Sequence, residues 1–117
     1  MFTFEKSSAW QKSMDLAEQV LKLTDKFPST ERFELVSQMR RAAASIPSNI
    51  AEGYGKRTKR DFLKFMSIAR GSTYELYTQL NLSQRVGFLD SVQQQNDLIE
   101  HIAFELNRII SKTEGDK

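Results

Sequence analysis

The sequence predicts an all-α protein, an antiparallel up-and-down four-helix bundle in one domain spanning residues 1–117. Three observations predict it. Apolar residues recur at spacings of three and four, and strand-like alternation is hard to find. Only two prolines and five glycines interrupt 117 residues. The connections between periodic segments are short, and short links place consecutive helices side by side in opposite directions.

The first helix is expected over residues 8–27. Trp10, Met14, Ala17, Leu21 and Thr24 form one stripe, and Leu16, Val20, Leu23 and Phe27 form another beside it. A face that wide suits a bundle core. Pro28 ends the helix, because the residue before a proline is pushed out of helical geometry. The second helix is expected over residues 30–54, with Ser29 or Thr30 as cap and Glu31 in the first turn, where the dipole favours an acid. Its core stripe is Val36, Met39, Ala43, Ile46 and Ile50. That stripe passes through Pro47, which therefore predicts a kink within one helix. Gly53 and Gly55 are expected to form its exit.

The third helix is expected over residues 59–86. Thr58 caps it, and Asp61 completes an acidic capping box. Phe62, Phe65, Met66, Ala69, Thr73, Leu76 and Leu80 face the core. The fourth is expected over residues 91–112, opened by a capping box of Asp90 and Gln93. Val92, Ile99, Ile102, Ala103, Leu106, Ile109 and Ile110 form its buried face. Residues 113–117 read as a frayed tail.

Composition narrows the chemistry. The chain has no cysteine, which excludes disulfides, thiol catalysis and cysteine-held metals. It has one histidine, His101, directly after Glu100, so the Glu-x-x-His pairs of di-iron bundles are absent. No phosphate-binding loop or zinc spacing occurs. The expectation is a non-enzyme with no catalytic residue, cofactor or metal. The opening residues lack the apolar core of a signal segment, and no apolar run is long enough to span a membrane. A cytoplasmic location is expected.

Two helices carry more small or apolar surface than one stripe requires. Arg40, Ala44, Pro47 and Ala51 share a flank of the second helix. Leu63, Arg70, Tyr74 and Tyr77 share a flank of the third. Either these flanks widen the core contact, or Ala44, Pro47, Ala51, Leu63, Tyr74 and Tyr77 form a subunit interface. Two different flanks in contact make a heterologous interface, which closes into a ring. Asn49, Glu52 and Glu75 border the core stripes and are expected as structural polar groups, the acids paired with Arg40, Arg41 or Arg70.

The net charge of +2 is mild, so a nucleic-acid case rests on local clustering. Lys56, Arg57, Lys59, Arg60 and Lys64 crowd one turn, with Asp61 the single acid among them. They are the expected phosphate contacts, with Arg40, Arg41 and Arg70 in reserve. The other reading is a solvated turn on a protein-interaction scaffold that does not touch nucleic acid.

The stretches "QMRRAAASIPSNIAEGYGK" and "FMSIARGSTYELYTQL" resemble the four-helix-bundle proteins encoded within intervening sequences of bacterial 23S rRNA genes. The resemblance rests on Gln38, Arg40, Arg41, Ala42, Ser45, Ile46, Asn49, Ile50, Ala51, Glu52 and Gly53. Ile68, Ala69, Gly71, Ser72, Glu75 and Leu76 continue it, and Trp10 and "KFP" at residues 26–28 match the family's opening helix. The resemblance implies an antiparallel bundle and a homopentameric ring. It extends to the accessory protein of diversity-generating retroelements, thought to bind nucleic acid and a reverse transcriptase. It implies no catalytic residue and no defined biochemical role.

Overall fold

The computed structural model describes residues 1–115. Among them are four long helices: α1 (Ser8–Thr24), α2 (Ser37–Tyr54), α3 (Lys59–Arg85) and α4 (Gln93–Gly115). Each packs chiefly on two neighbours, α1 and α3 both lying against α2 and α4. The molecule measures 49 × 23 × 22 Å, as expected when helices of this length share one long axis. This is the neighbour pattern of an up-and-down bundle.

The core is one cluster running the length of the bundle. Leu16, Val20, Met39, Ile46, Ile50, Met66, Leu76, Leu80, Ile102 and Leu106 are all fully buried. On α1 the buried residues are Ala9, Ser13, Leu16, Val20 and Thr24. The expected stripe through Met14 and Leu21 is therefore corrected, since these side chains are 46% and 49% exposed. Of the two adjacent apolar stripes, the one containing Leu16 and Val20 faces α2 and α4.

Four core hydroxyls resolve their own burial. Ser13, Thr24, Thr73 and Ser83 each donate to a carbonyl three or four residues back, at 2.7–2.8 Å. A buried donor satisfied inside its own helix carries little penalty. Gln79 differs, for its Oε1 is buried without a hydrogen-bond partner among the described residues. A buried unsatisfied acceptor costs about 1–3 kcal/mol. Gln79→Met keeps the shape and removes that group, so it is expected to raise the unfolding free energy by about 1–2 kcal/mol in a urea melt.

Helix ends differ from the expectations in several places. α1 stops at Thr24, and Phe27 is buried beyond it against Phe88, ring centroids 5.4 Å apart. The second segment does not start as one helix at residue 30. A 3₁₀ turn at Ser29–Glu31 leads into a π turn at Arg32–Val36, and neither Ser29 nor Thr30 supplies a side-chain cap. α2 then runs unbroken through Pro47, which is buried. Thr58 caps α3 as expected, its Oγ1 accepting from the Asp61 amide at 3.1 Å. Gly87 ends α3 in the left-handed region, at φ 87°. The Gly87 and Phe88 amides then return to the carbonyls of Gln84 and Ser83.

The expected Asp90 cap is also corrected. The Gln93 amide bonds to Ser91 Oγ, and Val92 drops into the core at 2% exposure. Placing Val92 inside fixes where α4 begins. The helix continues to Gly115, so Thr113 and Glu114 are not a frayed tail, and residues 116–117 lie outside the described residues. No helix among the described residues is long and apolar enough to cross a membrane.

Candidate nucleic-acid interface

The turn between α2 and α3 is built around a close helix approach. Gly53 is buried where α2 meets α3. A methyl group added there would lie 2.5 Å from Met66 Cε and 3.1 Å from Phe65 Cβ. The absent side chain thus lets the end of α2 close on the start of α3. Gly55 caps α2 at φ −85°, so the exit uses no left-handed residue. Its amide bonds to the Glu52 carbonyl at 3.1 Å, and the Lys56 amide bonds to that of Gly53. The turn is short and its backbone is anchored.

Lys56, Arg57, Lys59, Arg60 and Lys64 are all exposed on this turn and the first helical turn after it. The side chains of Arg57, Arg60 and Lys64 make no ion pair or hydrogen bond among the described residues. Lys56 Nζ lies 4.9 Å from the Phe65 ring centroid, a cation–π contact that leaves its charge in solvent. Tyr54 meets Phe62 edge-on at 5.3 Å and stays 37% exposed. The arrangement is therefore exposed cations interleaved with aromatic rings, on a fixed backbone, at one end of a rod. It can hold phosphates by charge, and the partly exposed Tyr54 ring offers a face on which a base can stack.

The reserve arginines are placed differently. Arg40 is committed to the end of α1: its Nε donates to Thr24 Oγ1 at 2.9 Å, and its Nη2 donates to Asp25 Oδ1 at 2.8 Å. Arg70 donates to Asn107 Oδ1 at 2.9 Å and ties α3 to α4. Neither bonds to Glu52 or Glu75. Both acids are exposed, and their side chains make no hydrogen bond or ion pair among the described residues, which corrects their assignment as structural pairs. Arg41 is exposed beside Ser45, Ser72 and Glu75, remote from the basic turn.

Asn49 does take a structural role. It donates to the Ser45 carbonyl and hydroxyl at 2.7 and 2.8 Å, and Ser45 Oγ lies 2.8 Å from Ser72 Oγ on α3. This chain of side chains pins α2 to α3. The sequence holds its signal in the spacing of Ser45 and Asn49, one helical turn apart.

The candidate interface flanks divide as well. Pro47 is buried within the bundle, and Leu63 is half-buried against the core. Ala44 is exposed and Ala51 half-buried. Tyr74 and Tyr77 stay 49% and 44% exposed. The Tyr74 hydroxyl accepts from Asn107 Nδ2 at 3.4 Å. Phe104, at 64% exposure, lies three residues before Asn107 on α4. Sequence reasoning missed Phe104, because it falls on the side of α4 opposite the buried stripe of Ile99, Ile102, Leu106 and Ile110. Among the described residues nothing lies within 4 Å of a methyl group built on Gly71, so that glycine serves no close contact there.

A small all-α bundle whose short α2–α3 turn carries a basic cluster is the class that fold and site define. The profile of the 23S rRNA-intervening sequence protein family matches residues 5–112. The chain belongs to that family. Its structure is similar to a crystal structure from Bacteroides thetaiotaomicron, of a protein of unknown function from the S23 ribosomal protein family. The TM-score is 0.80 at 24% identity, over 88% of this chain and 95% of that one. No curated protein matches the chain. Among the described residues, no group of three or more histidine, cysteine or acidic side chains could hold a metal ion.

Proposed function

We propose that the protein is a non-enzymatic, ring-forming bundle of the cytoplasm that binds structured RNA or DNA through the α2–α3 turn. The observation that carries this reading is the exposed state of Arg57, Arg60 and Lys64, without partners among the described residues, on the turn where Lys56 lies over the Phe65 ring. The close α2–α3 approach at Gly53 seats the cluster on a fixed turn. Phosphate contacts from such side chains give affinity with little sequence choice.

Self-association strengthens this reading. Arg40 reaches α1 and Arg70 reaches α4, so the two flanks lie toward opposite edges of the bundle. A contact between such unlike edges is heterologous and suits a ring. Five subunits is the number that family resemblance supports. A ring repeats the basic turn on one rim, and repeated sites add avidity without new contacts.

The direct test is fluorescence anisotropy with a labelled rRNA hairpin and a duplex DNA, at low and near-physiological salt. Binding that weakens with salt, and is lost on changing Lys56, Arg57, Arg60 and Lys64 to alanine, is the expected result. No binding at either salt would leave the turn a solubility device and favour a protein-interaction scaffold. For assembly, Tyr74→Ala with Tyr77→Ala is expected to lower the mass seen by light scattering to that of one subunit. An unchanged mass would remove this flank from the subunit contact.

A further inference from the structure

The corner between α1 and α2, at the far end of α2 from the basic turn, carries a second feature. The π turn at Arg32–Val36 holds Phe33 in solvent at 89% exposure. Beside it opens a cleft of about 640 Å³. Phe27, Phe33 and Val36 give it an apolar lining, and Arg32, Arg40 and Arg41 stand around them. The one acid in the lining, Asp25, is already engaged by Arg40 at 2.8 Å. The side chains of Arg32 and Arg41 have no partner among the described residues. Arg40 is locked by Thr24, the Leu21 carbonyl and Asp25. The cleft thus pairs a fixed guanidinium and two unpaired ones with an exposed ring.

We propose that this cleft docks an acidic peptide segment of a partner protein, one that carries a large apolar side chain among its carboxylates. Guanidinium groups bind carboxylates in a two-point geometry, which fixes the segment's direction as well as its charge. The apolar side chain would lie between Phe33 and the Phe27–Val36 floor, covering a ring that stands exposed among the described residues. Charge outside the cleft favours a peptide over a nucleic acid. Glu31 just before the π turn and Glu34 within it would repel a continuous phosphate backbone running past, whereas a peptide can place neutral residues there. The α2–α3 turn has only Asp61 in the corresponding position. This inference stands apart from the proposed nucleic-acid role, because the two sites share no residue.

The test is a ¹⁵N chemical-shift titration of the full chain with a capped octapeptide of glutamates and aspartates around one phenylalanine and one leucine. Its control is the same peptide with lysine in place of every acid. Shifts concentrated in residues 25–41 are expected with the acidic peptide alone. Binding should weaken at least tenfold in Arg32→Ala/Arg41→Ala and in Phe33→Ser. All three positions are exposed, so thermal melts should confirm an intact fold. Four results would each overturn the proposal: no shifts in that segment at millimolar peptide, equal shifts with the lysine peptide, shifts that move instead to residues 54–65, or binding unchanged by the substitutions. A single-stranded oligonucleotide that shifts residues 25–41 at lower concentration than the peptide would also overturn it.

Discussion

Nucleic-acid affinity should fall about a hundredfold between 50 and 200 mM salt. The estimate takes four phosphate contacts, each contributing roughly 0.9 to the slope of log affinity against log salt. The four are Lys56, Arg57, Arg60 and Lys64. All are exposed, and among the described residues none is held in an ion pair. Changing them together to alanine is expected to flatten the slope toward zero and to remove most of the low-salt affinity. Changing Arg40 and Arg70 should leave the slope nearly intact, because Asp25 and Asn107 already occupy them. Anisotropy titrations across a salt series read both outcomes. A slope that ignores the turn and follows Arg40 or Arg70 would move the grip to the sides of the bundle.

Leu16→Ala should cost about 2–5 kcal/mol of stability, the range for emptying a fully buried leucine site. Leu16 has no exposure and lies at the centre of the α1 contact. Natural domains are stable by only about 5–15 kcal/mol, so this one change removes a large share. Leu21→Ala, five residues on, is the comparison. Leu21 is 49% exposed, and its replacement should cost less than about 1 kcal/mol. Denaturant melts of the two variants separate the stripes of α1. Equal costs would mean that Leu21 is buried in solution, as a subunit contact on that face would require.

The fold was legible in the sequence because each helix carries a periodic apolar face and most ends carry a chemical marker. Thr58 and Gly87 mark the two ends of α3, the first through its side-chain Oγ1, which accepts from the Asp61 amide, the second through its backbone in the left-handed region. The phase of α1 was not legible. Its two stripes are similarly apolar, and the choice depends on helices far away in the chain. The start of α2 was hidden for a related reason. A π turn inserts residues without disturbing the 36–39–43–46–50 stripe, so periodicity passes over it.

The site was legible in part. The basic cluster reads directly from the sequence, since exposure is the default for charged residues on a turn. Arg40 was not legible, because its partners lie 15 and 16 residues back, across a helix boundary. Helical spacing pointed it instead at acids of its own face or of α3. The exposed states of Glu52 and Glu75 came from the same difficulty: a polar residue beside a core stripe is inside or outside by a few tens of degrees of rotation.

The measurement that tests the central claim most directly is photocrosslinking to an RNA hairpin that carries 4-thiouridine, with the attached peptides mapped by mass spectrometry. Tyr54, Phe62 and Phe65 are the rings beside the proposed phosphate contacts, and the basic turn offers no other aromatic residue. Crosslinks on the segment from Tyr54 to Phe65, lost at high salt, are the predicted result. Crosslinks confined to Tyr74, Tyr77 and Phe104, or to Phe33, would contradict it and place nucleic acid elsewhere on the bundle.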